Sequence, residues 1–246
     1  MTGAVLLEVC VDTPANLHAA VANGAGRIEL CAALDGGGLT PSAGFMRLAS
    51  GAGVPVCALV RPRGGGFAYG DAELRVMAAD IAAAREAGLA GVVLGASRVD
   101  GTLDSDALRR LLHAAAGLSI TLHRCVDLAP DPLSALEEAV ALGFDRVLSS
   151  GGAPTASQGA GVLAAMVRAA AGRIVVMPGG GITPANAPGL LAHTGAQELH
   201  ASCRAPAPPT APDLAALGFT RDRPVDPAAV RALSGLAIAG PTPPVL

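Results

Sequence analysis

Eight short apolar runs, each rich in Val, Ile and Leu, alternate with longer helical patterns, and this alternation limits the possible folds more than any other feature. The runs are Val5–Val11, Arg27–Cys31, Pro55–Val60, Gly91–Gly95, Ile120–His123, Arg146–Ser149, Ile174–Met177 and Glu198–His200. Near-continuous hydrophobicity of this kind belongs to parallel strands covered on both faces. A glycine shortly precedes each later strand: Gly24, Gly53, Gly88, Gly117, Gly143, Gly172 and Gly195. A left-handed glycine is a common way to end a helix before the chain turns back. Asp131–Gly143 shows the unit most clearly. Asp131 can cap, Pro132 suits the first turn, Leu133, Leu136 and Val140 form a stripe, Glu137 and Glu138 face water, and Gly143 stops the helix. Such βα units of ~30 residues, with no break in composition, predict an α/β fold, a single TIM (β/α)8-type barrel over 1–246. A doubly wound open sheet is the rival, and eight evenly spaced units fit closure better. After Cys203, the Pro/Ala-rich Ala205–Asp213 reads as an irregular C-terminal crossover. A final helix at Pro227–Ala237 then closes the barrel.

Composition narrows the function. With 15% charged and 51% hydrophobic residues the chain is not disordered. Its 2% aromatic content, lack of Trp and net charge of -3 exclude a stacking platform or basic footprint for nucleic acid. All 17 basic residues are arginine. The absence of lysine excludes Schiff-base chemistry and a Walker-type phosphate lysine, and leaves arginine as the permanent cation. Met1–Leu7 carries no basic side chain and is cut short by Glu8, unlike a signal peptide. The longest uncharged stretch, Ile174–Gln197, is broken by glycines and prolines and does not suit a membrane span. Five cysteines without a CxxC pair point to reduced thiols, and the expected location is cytoplasmic, with no membrane association.

In a barrel of this kind the chemistry lies at the carboxyl ends of the strands. Those ends carry Glu8, Cys10 and Asp12; Glu29 and Cys31; Arg61 and Arg63 before Gly64–Gly66; His123 and Arg124 with Asp127; Ser149 and Ser150; Gly179, Gly180 and Gly181; and Glu198 and His200. Acidic residues inside strands are costly unless paired, so Glu8 and Glu29 read either as part of an arginine ion network or as functional groups. The glycine triplets can be tight turns, or backbone cradles for an anion, with Gly179–Gly181 after the seventh strand where many barrels bind phosphate. Arg61, His123, Arg124 and Gly179–Gly181 are expected to converge on one cavity, because odd-numbered strands share interior layers. Cys10 and Cys31, on adjacent strands, could ligate a soft ion such as Cu(I), or could be small apolar fillers. His18, His113 and His193 fall in helical segments and read as packing or surface residues, as do Cys57, Cys125 and Cys203 as fillers.

The stretches Glu8-Val-Cys-Val-Asp12, Gly24-Ala-Gly-Arg-Ile-Glu-Leu-Cys31, Gly37-Gly-Leu-Thr-Pro-Ser42, Arg61-Pro-Arg-Gly-Gly65, His123-Arg124, Ser149-Ser-Gly151 and Met177-Pro-Gly-Gly-Gly181 resemble the CutC copper-homeostasis family. The likeness runs in family order over about residues 5–204. It implies a TIM barrel, cytosolic copper handling, and Cu(I) held through Cys10 and Cys31. Two departures stand out: Leu122-His-Arg-Cys-Val-Asp127 replaces the family's usual Phe-His-Arg-Ala-Phe-Asp, and Gly66 stands where an Asp is usual. Both spare His123, Arg124 and Asp127 and change the packing around them.

Two functions are therefore expected. One is a copper-homeostasis protein binding Cu(I) at Cys10 and Cys31. The alternative is an enzyme for a small anionic or phosphorylated substrate. In it Arg61, Arg63, Arg124 and Gly179–Gly181 bind the anion, and His123, Glu8 or Glu29 serve as acid and base. Asp12, Asp127, Ser150 and His200 would complete the pocket. The expected partner is a copper ion or small anion, not nucleic acid, and a homo-oligomer is compatible with either function.

Overall fold

The computed structural model describes residues 4–207 and 223–236, with positions 209, 212, 216 and 217 between them. The strands are β1 Leu6–Val11, β2 Arg27–Leu30, β3 Val56–Leu59, β4 Gly91–Leu94, β5 Ser119–Leu122, β6 Arg146–Ser149, β7 Val175–Pro178 and β8 Glu198–Ala201. All paired neighbours are parallel, in the order β7-β6-β5-β4-β3-β2-β1-β8. The two ends of that sheet meet at a parallel bridge between Gly179 and His200. Strands that follow chain order all the way round have no topological switch point, so the sheet curls into a nearly closed TIM barrel and not a doubly wound sheet.

The helices are α1 Pro14–Ala22, α2 Ala43–Ala49, α3 Asp71–Glu86, α4 Ser105–Ala114, α5 Pro132–Leu142, α6 Ala160–Ala170, α7 Ala187–Thr194 and α8 Pro227–Ser234. All seven glycines ahead of the later strands have positive φ, from +72° to +103°. At Gly143 a Cβ would meet nothing within 4 Å, so its φ of +87°, not lack of space, demands glycine there. Asp131 caps α5 by accepting from the Leu133 and Ser134 N–H groups. The buried face of α5 is Ala135, Leu136 and Ala139, whereas Leu133, expected on the stripe, is exposed. Alanines on the inner face let the helix lie close to the sheet.

His123, expected within a strand, lies just beyond β5 and caps a 3-10 turn at Arg124–Leu128. The crossover Ala205–Asp213 lies partly outside the described residues, as does Ala237. Helix α8 is capped by Asp226, and the Leu236 carbonyl beyond it accepts from Val5 N–H, tying this end of the chain to the start of β1.

Outward-facing strand residues such as Leu7, Val9, Ile28 and Val92 join the helices in one large apolar core. The barrel interior is different. Cys10, Cys31, Cys57, Leu59 and Val93 form a small separate cluster, surrounded by buried Glu8, Arg27, Glu29 and Glu198. Arg27 is central: Nε donates to Glu8 and Nη2 to Glu198, and it also touches the Met177 sulfur at 3.2 Å. Arg146 reaches Glu198 at 3.0 Å and Ser119 at 2.8 Å.

Removing one partner of a buried ion pair costs about 3–5 kcal/mol, while alanine at a left-handed glycine costs about 1 kcal/mol. Arg27→Met is accordingly expected to lower the denaturation midpoint several times further than Gly143→Ala. Equal shifts in the two variants would show that the interior charges are not needed for the fold.

Candidate functional site

A cavity of about 350 Å³ opens at the carboxyl ends of the strands. Glu29 and Cys31 reach it from the β2 end, Arg61 from beyond β3, His123, Arg124 and Asp127 from beyond β5, and His200 from β8. This is the convergence expected for Arg61, His123 and Arg124. The glycine loop is not part of it. Gly179 spends its N–H on the Ser149 carbonyl, and a Cβ there would strike Leu148 at 2.5 Å. Glycine at 179 therefore serves closure of the barrel, and neither it, Gly180 nor Gly181 lines the cavity. Arg63 also faces elsewhere: it is paired with Glu73 of α3, donates to the Gly64, Gly66 and Ala68 carbonyls, and packs on Tyr69.

Arg61 is only 8% exposed. Its Nη1 donates to the carbonyls of Gly36 and Gly38 at 3.3 and 2.9 Å, and Nη2 to Gly65 at 2.9 Å. Its Nε is buried with no hydrogen-bond partner in the protein. The His123 Nδ1 accepts from Cys125 N–H at 3.2 Å, which places the ring proton on Nε2, and that atom also has no partner. Burial, with Arg61 adding, pushes the His123 pKa down to about 4, so the ring is neutral at pH 7. Phe67 packs over both groups, 4.7 Å from the His123 ring centre and 5.2 Å from the Arg61 Cζ. Sequence reasoning missed Phe67. The signal was an aromatic beside Gly64–Gly66 in a chain nearly devoid of aromatics.

Arg124 is set by Asp127 at 2.8 Å and Ser150 at 2.6 Å. Asp127 also accepts from Ser149 and from the N–H groups of Ser150 and Gly152, so Asp127 and Ser150 pin the 3-10 turn to the β6 end. Asp12 accepts from Leu34 N–H at 3.1 Å and lies outside this cavity.

Deeper in, Glu8 joins Arg27 to His200: its Oε1 is 2.8 Å from the His200 Nδ1. Burial would raise the Glu8 carboxyl, but His200 and Arg27 outweigh it and hold the pKa down to about 2. The other His200 nitrogen, Nε2, is 3.7 Å from Glu29. Burial opposes charge on His200, yet Cys10, Glu8 and Glu29 together raise it well above its ordinary value. Burial, helped by Glu8, pushes Glu29 up to about 7 against the pull of His200.

Donor atoms of Cys10, Glu29 and His200 lie within 4.8 Å of one another and could hold a metal ion. Cys31 is outside that group. The parallel register sets Cys10 opposite Glu29, so the two thiols are offset by one inward step and do not face each other directly. Burial, then Glu29 and Cys10, push the Cys31 thiol well above its ordinary pKa. Arg27, Arg146 and Glu198 were the network partners that sequence reasoning did not assemble. Their period-two spacing from Glu29, Leu148 and His200 was the available cue.

Fold and site together define a TIM-barrel protein with a salt-bridged interior and, at its carboxyl-end face, a cavity lined by both charged and apolar side chains. Residues 5–205 match the CutC family. A CutC family protein of Sinorhizobium medicae is 53% identical over 231 residues, covering 93% of this chain and 94% of the relative. One from Agrobacterium fabrum is 52% identical over 239 residues, covering 96% and 95%. The crystal structure of the putative copper homeostasis protein CutC from Streptococcus agalactiae aligns with a TM-score of 0.77 at 34% identity. That alignment covers 80% of this chain and 98% of that one. The chain belongs to the CutC family, a family whose name is tied to copper. Among the described residues no helix is long and apolar enough to cross a membrane.

Two of these perturbed groups, His123 and Glu29, act oppositely on stability. His123 falls from 6.5 to about 4 on folding, so its contribution is present above pH 6.5 and lost as pH falls toward 4. Glu29 rises from 4.5 to about 7, so its contribution is full below pH 4.5 and lost as pH rises through 7. His123→Gln should therefore unmask the Glu29 slope, with urea midpoints falling as pH rises from 4.5 to 7. A variant whose pH profile parallels wild type would refute these assignments.

Proposed function

We infer that the carboxyl-end cavity binds a small anion and that the chain is an enzyme moving a proton on that ligand. One observation carries this reading: Arg61 is a buried cation with no carboxylate within ion-pair distance among the described residues. An uncompensated buried charge is expensive, and a bound anion offsets it. In this reading Arg61 supplies the charge, and His123, neutral, donates from Nε2. Glu29 takes a proton from the ligand while His200, held through Nδ1 by Glu8, returns one from Nε2, so no net proton is gained. Glu8 then positions His200 and does not touch the ligand. Arg124 forms the rim. The whole chain works as one unit, and its five free, buried cysteines suit a reducing, cytosolic setting.

The test is thermal unfolding in a panel of small anions, carboxylates and phosphate included, against chloride at matched ionic strength. Binding to the native state raises Tm by mass action. At least one anion should raise it by several degrees, and Arg61→Ala should lose most of that gain. If no anion acts, or the variant responds as wild type does, the site is misassigned.

A second reading is favoured by the Cys10, Glu29 and His200 cluster: Cu(I) bound as cargo at the base of the cavity. Thiolate and imidazole suit this soft ion, while the Glu29 carboxylate is a hard donor that adds little. Cys10 is the common ligand, with Cys31 or His200 as the second. In an anaerobic Cu(I) competition titration, Cys10→Ser should weaken uptake strongly, and Cys31→Ser only if the second ligand is that thiol. Equal, weak uptake by wild type and both variants would remove the copper site.

A further inference from the structure

We propose that the seat at Arg61 takes a small monocarboxylate with an apolar body, in preference to a phosphate or a dicarboxylate. This rests on the anion-binding reading above and names its ligand class. Charge balance makes the first argument. Arg124 is matched by Asp127, and Arg27 and Arg146 by Glu8 and Glu198. Arg61 alone among the arginines lining this cavity lacks a carboxylate, so the seat calls for one negative charge. Phe67 at 5.2 Å offers only a weak cation–π attraction. A second negative charge on the ligand would find no unpaired arginine left in the lining.

Donor geometry makes the second argument. With Nη1 bonded to two carbonyls and Nη2 to one, Arg61 has an Nε–H and one Nη2 hydrogen left to give. Adjacent donors of that kind match the two oxygens of a planar carboxylate. The unpartnered His123 Nε2–H, also buried, supplies a third donor to the same wall. Phosphate would need more. The glycine loop that could have cradled it has its Gly179 N–H tied to Ser149 and stands outside the cavity.

The walls make the third. Leu59, Leu128 and Leu148 line the rest of the cavity and suit an apolar body. Phe67 covers the two donors and must turn aside as the ligand enters. The three residues before it, Gly64, Gly65 and Gly66, are exposed glycines.

Calorimetric titration of the full chain with butyrate, butyramide, succinate and inorganic phosphate, at matched ionic strength, tests the class. One charge-assisted hydrogen bond is worth about a factor of ten or more in affinity. Butyrate should bind at least about tenfold tighter than each of the other three, and Arg61→Lys, which keeps the charge but loses the paired donors, should lose about that factor. Phosphate or succinate binding as tightly as butyrate, with Arg61 still required, would overturn the monocarboxylate class and leave the anion seat standing. Butyramide equal to butyrate in wild type, no binding by any of the four, or an unaffected Arg61→Lys protein would overturn the seat itself. The wild-type comparison does not depend on the variant folding.

Discussion

Arg27 is the hub on which the buried charges of the barrel interior depend. Its guanidinium joins Glu8 of β1 to Glu198 of β8, and Arg146 extends the same network to β6. Most of the apolar core lies outside the barrel, between strands and helices, so the inside is free to be polar. Charges buried there persist only because each has a partner. Glu8 has a second duty, since the same carboxylate that meets Arg27 also fixes the His200 imidazole. The structural network and the candidate site therefore share an atom group, and the orientation of His200 depends on the Glu8 carboxylate that Arg27 also holds.

Above that layer the balance changes. Arg124 is neutralised by Asp127 and clamped through Ser150, which makes it a rigid part of the rim. Arg61 is satisfied in part by backbone carbonyls, which accept hydrogen bonds without supplying a negative charge. The contrast separates an arginine neutralised by a carboxylate of the protein from one that is not. His123 follows the same logic, since burial keeps it neutral and its one bonded nitrogen leaves the other with a proton to give.

The two functional readings meet at one place. Cys10, Glu29 and His200 form a compact donor set at the base of the cavity, and Glu29 and His200 also face the ligand space. A soft metal and a proton relay would compete for the same His200 nitrogen. Membership of the CutC family does not choose between them; the chemistry of Arg61, which copper binding leaves unused, favours the anion.

The βα alternation, the glycine stops and the Asp131 cap were legible in the sequence because each is a local effect, set by side-chain period or by the φ that one residue can adopt. The carboxyl-end position of Glu29, Arg61, His123, Arg124 and His200 followed from that alternation together with the rule that barrels act at one face. Other features had no local signature. Register is a relation between strands, and it alone set Cys10 opposite Glu29 instead of Cys31. Whether an arginine is paired depends on what the fold brings near it: Arg63 met Glu73 of α3, Arg27 met Glu8 and Glu198, and Arg61 met only carbonyls. Gly179 looked like part of a phosphate loop, yet it is glycine because Leu148 and His200 close on it where β7 meets β8. Local conformation and pattern belong to the sequence by itself. Partnership, burial and charge balance were decided by the tertiary structure, because each depends on distances between residues far apart in the chain.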